Sequence, residues 1–188
     1  MLAVPRAVIE PFTGVVLAGG RSSRMGRDKA VLVLDGRTLL DRAIDVLRDA
    51  GATNVIVSGD RSMHDGVADR IPDAGPVGGI ASVLSRVPDG AMVVIPVDVP
   101  LLDAVTLRTL VASLSEAPAA CFKGHPLPWA VRVDARARDA VEQLLRDNPE
   151  GPSMRALHAA VAGIEITPPT ADVLHNVNTP ADLDGVVR

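Results

Sequence analysis

Gly14 to Ala30 reads GVVLAGGRSSRMGRDKA, and two kinds of structure meet inside it. Gly14–Ala18 (GVVLA) is a short apolar run that stops at Gly19-Gly20, the mark of a strand buried on both faces that ends in a loop. Leu17 to Ala30 then gathers three glycines, two serines, three arginines and a lysine. Glycines let the backbone turn so that successive N–H groups converge on an anion, and Arg24 and Lys29 add positive charge for outer phosphates. Ser22 and Ser23 suit phosphate hydrogen bonding. Two better-known phosphate loops are excluded. No lysine followed by Ser or Thr comes directly after Gly26, and Gly19-Gly20-Arg21 breaks the alternating glycines of the dinucleotide fingerprint.

Outward from this loop, short apolar runs alternate with amphipathic stretches. Thr38 begins a helix with capping-box-like spacing to Asp41, apolar Leu40, Ala43, Ile44 and Leu47 on one face, and Gly51 at its end. Asn54–Val57 reads as a second strand, Val77–Val87 as a helix entered through Gly75-Pro76, and Ala91–Val97 (AMVVIPV) as a buried strand ending at Asp98. Asp103–Ser115 and Ala135–Leu145 carry helical apolar spacing, and Ala119–Val133 reads as extended, interrupted by Pro126 and Pro128. This alternation predicts an α/β fold with a mainly parallel sheet covered on both faces, whose ligand sits at the carboxyl ends of the strands.

The 188 residues suit one globular domain, with 47% hydrophobic and 22% charged side chains and no internal repeat, linker or charge block. The aromatics are Phe12, Phe122 and Trp129, and the formal net charge is −4. Stacking residues and a basic excess are both missing, so nucleic acid is not an expected partner. Neither is a membrane: no apolar run approaches the roughly 20 residues of a span, and MLAVPRAVIEPFT is broken by Pro5 and Pro11. Cys121 is the single cysteine, which leaves no intramolecular disulfide, thiolate zinc cluster or redox pair and reads as a buried structural thiol, while the lack of a signal-peptide pattern or membrane run leads to the expectation of a cytoplasmic protein. Of 19 basic Lys and Arg residues only Lys29 and Lys123 are lysine.

Three further elements can carry chemistry. In IPVDVPLL (Ile95–Leu102) a lone carboxylate, Asp98, interrupts an apolar sequence at the end of a core strand, where it needs a cation, an arginine partner or a capping role on a helix starting near Leu102. DAGPVGGI (Asp73–Ile80) is a turn running into small residues at a helix start, where a nucleotide can approach the backbone. In HNVNTPADL (His175–Leu183), Thr179, Pro180 and Asp182 fit a helix N-terminus, while Asn176 and Asn178 serve either a ligand or the loop backbone. His64, His125, His158 and His175 share no metal-binding spacing, and no nucleophilic triad pattern is present.

Together, LAGGRSSRMGRDKA, GPVGGI, PVDVPLL and NVNTPADL resemble the molybdenum cofactor guanylyltransferase family, MobA, among the nucleotidyltransferases of GT-A-like fold. The resemblance runs from Val15 to Leu183. It implies a single-domain, Rossmann-like three-layer sandwich over 1–188 that moves GMP from GTP onto the phosphate of molybdenum-bearing molybdopterin, with Mg²⁺ as cofactor and pyrophosphate as by-product. On this basis Leu17, Ala18, Gly19 and Gly20 line the GTP site with Ser22 and Gly75, Arg24 and Lys29 hold its phosphates, Asp98 binds Mg²⁺ and Asp73 meets guanine. Arg24, Lys29 and Asp98 then form the catalytic set, and His125, Pro126, Leu127, Asn176 and Asn178 fall on the pterin side. Partners implied are GTP, a molybdopterin-type acceptor and a molybdoenzyme client or chaperone. Two departures leave base choice open: Ser58-Gly59-Asp60 stands where relatives often carry asparagine, and Asp73 lies only two residues before Gly75-Pro76. Transfer of CMP from CTP, guanylylation of another small phosphate acceptor, and a non-catalytic nucleotide-binding adaptor are the competing readings.

Overall fold

The computed structural model describes residues 10–19, 28–170 and 172–177. The expected cap at Thr179 lies outside them. In chain order the strands are β1 (Phe12–Leu17), β2 (Val33–Leu34), β3 (Arg37–Thr38), β4 (Ala52–Ser58), β5 (Gly90–Pro96), β6 (Ala119–Phe122), β7 (His125–Val133) and β8 (Ile164–Ile166). The α-helices are α1 (Leu39–Ala50), α2 (Gly75–Val83), α3 (Ala104–Ala112), α4 (Ala135–Asp147) and α5 (Met154–Ala160). Six strands form one sheet in the order β4-β1-β5-β7-β6-β8, and β2 and β3 make a separate small hairpin. Within the large sheet only β7 runs against the others.

Alternation within the strands builds the three layers. Val16, Val93 and Ile95 pack with Leu40, Ile44 and Leu47 of α1 and Leu107 and Leu110 of α3 on one face. Their neighbours Val15, Met92 and Val94 face the other way, onto Val77 and Ile80 of α2, Val141 of α4 and Leu157 of α5. A strand apolar at both i and i+1 is thus explained by helices on both sides. Among the described residues, no helix is long and apolar enough to cross a membrane.

The helix ends follow from local chemistry. Thr38 Oγ1 accepts the Asp41 amide at 3.0 Å, and Gly51 closes α1 in the left-handed region at φ 106°. Asp103 accepts the Thr106 amide at 2.7 Å and Asp134 the Ala137 amide at 2.8 Å. The capping role that the sequence left open for Asp98 therefore belongs to Asp103. The helix expected over Val77–Val87 starts two residues earlier and gives way to a 3₁₀ turn at Leu84–Arg86. The extended stretch Ala119–Val133 is a hairpin, reversed at Lys123-Gly124.

That reversal shapes the edge of the sheet. Strands β4, β1 and β5 deliver their carboxyl ends to one side, at Ser58, Leu17 and Pro96. Because β7 is antiparallel to β5, with Val94 opposite Trp129, the same register carried outward brings Leu127 to the level of Pro96.

Candidate active site

A cavity of about 430 Å³ opens at this edge. The ends of β1 and β5 supply Leu17 and Gly19, and Pro96, Val97 and Asp98. Lys29 enters from a 3₁₀ turn (Lys29–Val31), Asp73, Gly75, Pro76 and Gly79 from the start of α2, and Leu127 from β7. Of the residues singled out in the sequence, Leu17, Gly19, Lys29, Asp73, Gly75, Asp98 and Leu127 are thus brought into one wall. Ala18, expected to line the nucleotide site, is 3% exposed and is not in the cavity wall; its N–H donates to Ser58 O at 2.9 Å. Gly20, Ser22, Arg24 and Asn178 lie outside the described residues.

The central contact joins two motifs 69 residues apart. Lys29 Nζ donates to Asp98 Oδ2 at 2.9 Å, with both side chains 18% exposed. The sequence left Asp98 to a cation, an arginine or a cap; its ion-pair partner is a lysine. Its second oxygen, Oδ1, is buried and has no hydrogen-bond partner. A buried carboxylate oxygen without a donor is an unmet demand for positive charge, so the site fits a hard cation bound on Asp98. No cluster of three or more His, Cys, Asp or Glu arranged for a metal occurs among the described residues.

The pterin-side residues divide. Leu127 lines the main cavity, whereas His125 and Asn176 line a second one of about 370 Å³ with Asp172, Leu174 and His175. Pro126 is half-buried and lines neither. The two regions are tied by backbone, since Val177 N–H donates to Asp98 O at 2.8 Å.

Two charged wall residues were not anticipated, Asp69 and Glu150, while Ser58, read in the sequence as a departure from the relatives' asparagine, also lines the cavity. Ser58 Oγ donates to Asp69 Oδ1 at 3.4 Å, and a Cβ built on Gly19 would stand 3.1 Å from Asp69 Oδ2. Burial raises the Asp69 pKa, opposed by the Ser58 hydrogen bond. Asp69 sits in an irregular stretch with no motif around it. The one available signal was an acid shortly after the strand end at Ser58.

The residues 14–162 match the family model described as the MobA-like NTP transferase domain. The chain belongs to the MobA-like NTP transferase family. A molybdenum cofactor guanylyltransferase of Xanthomonas euvesicatoria pv. vesicatoria is 44% identical over 173 residues, covering 90% of this chain and 91% of the relative. Another, from Rhizobium meliloti, is 38% identical over 193 residues, covering 90% and 87%. Among solved structures, the molybdopterin-guanine dinucleotide biosynthesis protein A of Archaeoglobus fulgidus superposes with a TM-score of 0.71 at 18% identity, over 92% of this chain and 95% of that one. The 2-C-methyl-D-erythritol 4-phosphate cytidylyltransferase of Thermus thermophilus reaches 0.68 at 17% identity, over 90% and 94%. At such identities the structural likeness shows the fold alone. This MobA-like chain is a nucleotidyltransferase, and the adaptor reading is set aside.

Proposed function

We propose that this MobA-like enzyme transfers GMP from GTP to the terminal phosphate of molybdenum-bearing molybdopterin, giving the guanine dinucleotide cofactor and pyrophosphate. The observation that carries the reading is the meeting of Lys29 and Asp98 at the floor of the cavity, 2.9 Å apart. One brings the compact cation expected for a triphosphate, the other an anion able to hold a metal. The names of the 44% and 38% identical relatives supply the acceptor.

The chemistry asks for position and charge rather than for a base. A phosphate monoester is largely ionised near pH 7, so its oxygen can attack the α-phosphorus in line while the bond to the β-phosphate oxygen breaks. Lys29 faces the departing pyrophosphate, where an ammonium is worth most as charge develops. Gly75 and the first turn of α2 present backbone toward the cavity from the other side. Bound Mg²⁺, held by Asp98, would add electrostatic stabilisation of the phosphates. His125 and Asn176, with Asn178, are assigned to the acceptor across the second cavity.

Base choice is assigned to the carboxylates of the wall. Guanine offers two adjacent N–H donors, which one carboxylate can accept together, whereas cytosine sets an acceptor nitrogen beside its amino group. The resemblance puts Asp73 in this role; Asp69, in contact range of Gly19 and held by Ser58, is the more enclosed alternative. Comparing Asp69→Asn with Asp73→Asn for turnover on GTP and CTP separates them. The residue that reads guanine loses GTP preference by about tenfold or more when its carboxylate is removed, and the other leaves the preference unchanged. Equal turnover of GTP and CTP by the wild-type enzyme would refute guanine selection altogether.

A further inference from the structure

We propose that Arg61 is a positioning residue that ties the end of β1 at Ala18 to Asp28 and thereby sets the place of Lys29. The guanidinium reaches in two directions. Its Nε and Nη2 donate to Ala18 O at 3.3 and 2.6 Å, at the end of β1. Its Nη2 also donates to Asp28 Oδ1 at 2.8 Å, and Nη1 pairs with Asp28 Oδ2. Asp28 is the residue before Lys29, and its Oδ1 also accepts the Ala30 amide at 3.1 Å, capping the turn that carries Lys29. The hydrogen bond from Arg61 holds the Asp28 carboxyl below its ordinary pKa. One fork thus connects the strand end, the cap and the ammonium.

Arg61 is itself fixed from behind. Gly66 N–H donates to Arg61 O at 2.9 Å, and a Cβ on Gly66 would come 2.4 Å from Gly59 O, so the loop closes tightly on itself. His64 Nε2 lies 3.0 Å from Asp41 Oδ1, tying the same loop to the first turn of α1. A planar five-donor fork can bridge a carbonyl and a carboxylate together; a lysine ammonium cannot reproduce that geometry.

The catalytic part of this inference rests on the guanylyl-transfer reading, and the test separates the two. Arg61→Ala, Arg61→Lys, Asp28→Asn and the Arg61→Ala/Asp28→Asn double variant are compared with wild type by melting temperature, by hydrogen exchange of the Ala30 amide without substrate, and by kcat and KM for GTP with molybdopterin. In Arg61→Ala we expect faster Ala30 exchange, a kcat lowered by about tenfold to a hundredfold, and little change in KM. Arg61→Lys should stay impaired, and the double variant should be no slower than the worse single one, as for groups acting as a unit. A folded Arg61→Ala protein with wild-type Ala30 exchange and kcat overturns the proposal, as does full rescue by lysine. If wild type itself releases no pyrophosphate, guanylyl transfer falls, and the exchange comparison alone still decides the clamp.

Discussion

Lys29 and Asp98 hold each other at 2.9 Å while Asp98 Oδ1 has no donor. Neither side chain belongs to the apolar clusters that hold the layers together. Lys29→Ala and Asp98→Ala should therefore each cut turnover by about a hundredfold or more and leave the circular dichroism spectrum unchanged. Full GMP transfer by either variant contradicts its role. Lys29→Arg sharpens the point, because a chain so rich in arginine uses lysine here: the account expects turnover to stay low, and near-normal turnover would mean that only charge matters. At the opposite extreme stands Cys121, buried within β6 with its thiol pushed up to about 11 by burial. It should react with a thiol reagent at pH 8 only after denaturation, and prompt labelling of the native protein would contradict the burial.

At the scale of elements, the site is a row of strand ends, and its tolerance to change is set by how closely those ends approach. Gly59 follows β4 at φ 125°, and a Cβ there would stand 2.8 Å from Gly19 N and 3.0 Å from Ala18 C. Gly59→Ala should destabilise the protein by about 1–3 kcal/mol from backbone strain alone, read as a lowered denaturation midpoint, and a midpoint equal to wild type would refute the close approach. The strands and helices with long periodic runs were legible: β1, β5, α1, α3 and α4 lie within a few residues of where their apolar spacing puts them. What was not legible is physically of one kind. The direction of β7 depends on pairing with β5, which no local pattern encodes, and β8 and α5 are too short to show a period. Lys29, Asp98, Asp73 and Gly75 were visible because motifs surround them. Asp69 and Glu150 reach the cavity only through the tertiary path of the chain.

Across the whole molecule, stability should carry a pH signature from the far face of the sheet. Trp129 Nε1–H donates to His158 Nδ1 at 3.1 Å, and burial lowers the His158 pKa from its ordinary 6.5. The folded state thus favours the neutral ring and the unfolded chain binds the proton more readily, so this contribution is fully present above pH 6.5 and is lost as pH falls from there toward the folded pKa. Melting temperatures between pH 7.5 and 5.5 should fall more steeply for wild type than for His158→Gln; parallel profiles would contradict the assignment. This network lies among the buried residues on the α5 side. Guanylyl transfer is tested most directly by pyrophosphate release and dinucleotide product measured with Mg²⁺ for GTP and CTP, each with molybdenum-bearing molybdopterin and with an unrelated small phosphate acceptor. The account predicts stoichiometric pyrophosphate and guanine dinucleotide for GTP with the pterin alone; product from CTP at an equal rate, or from the unrelated acceptor in place of the pterin, would contradict it.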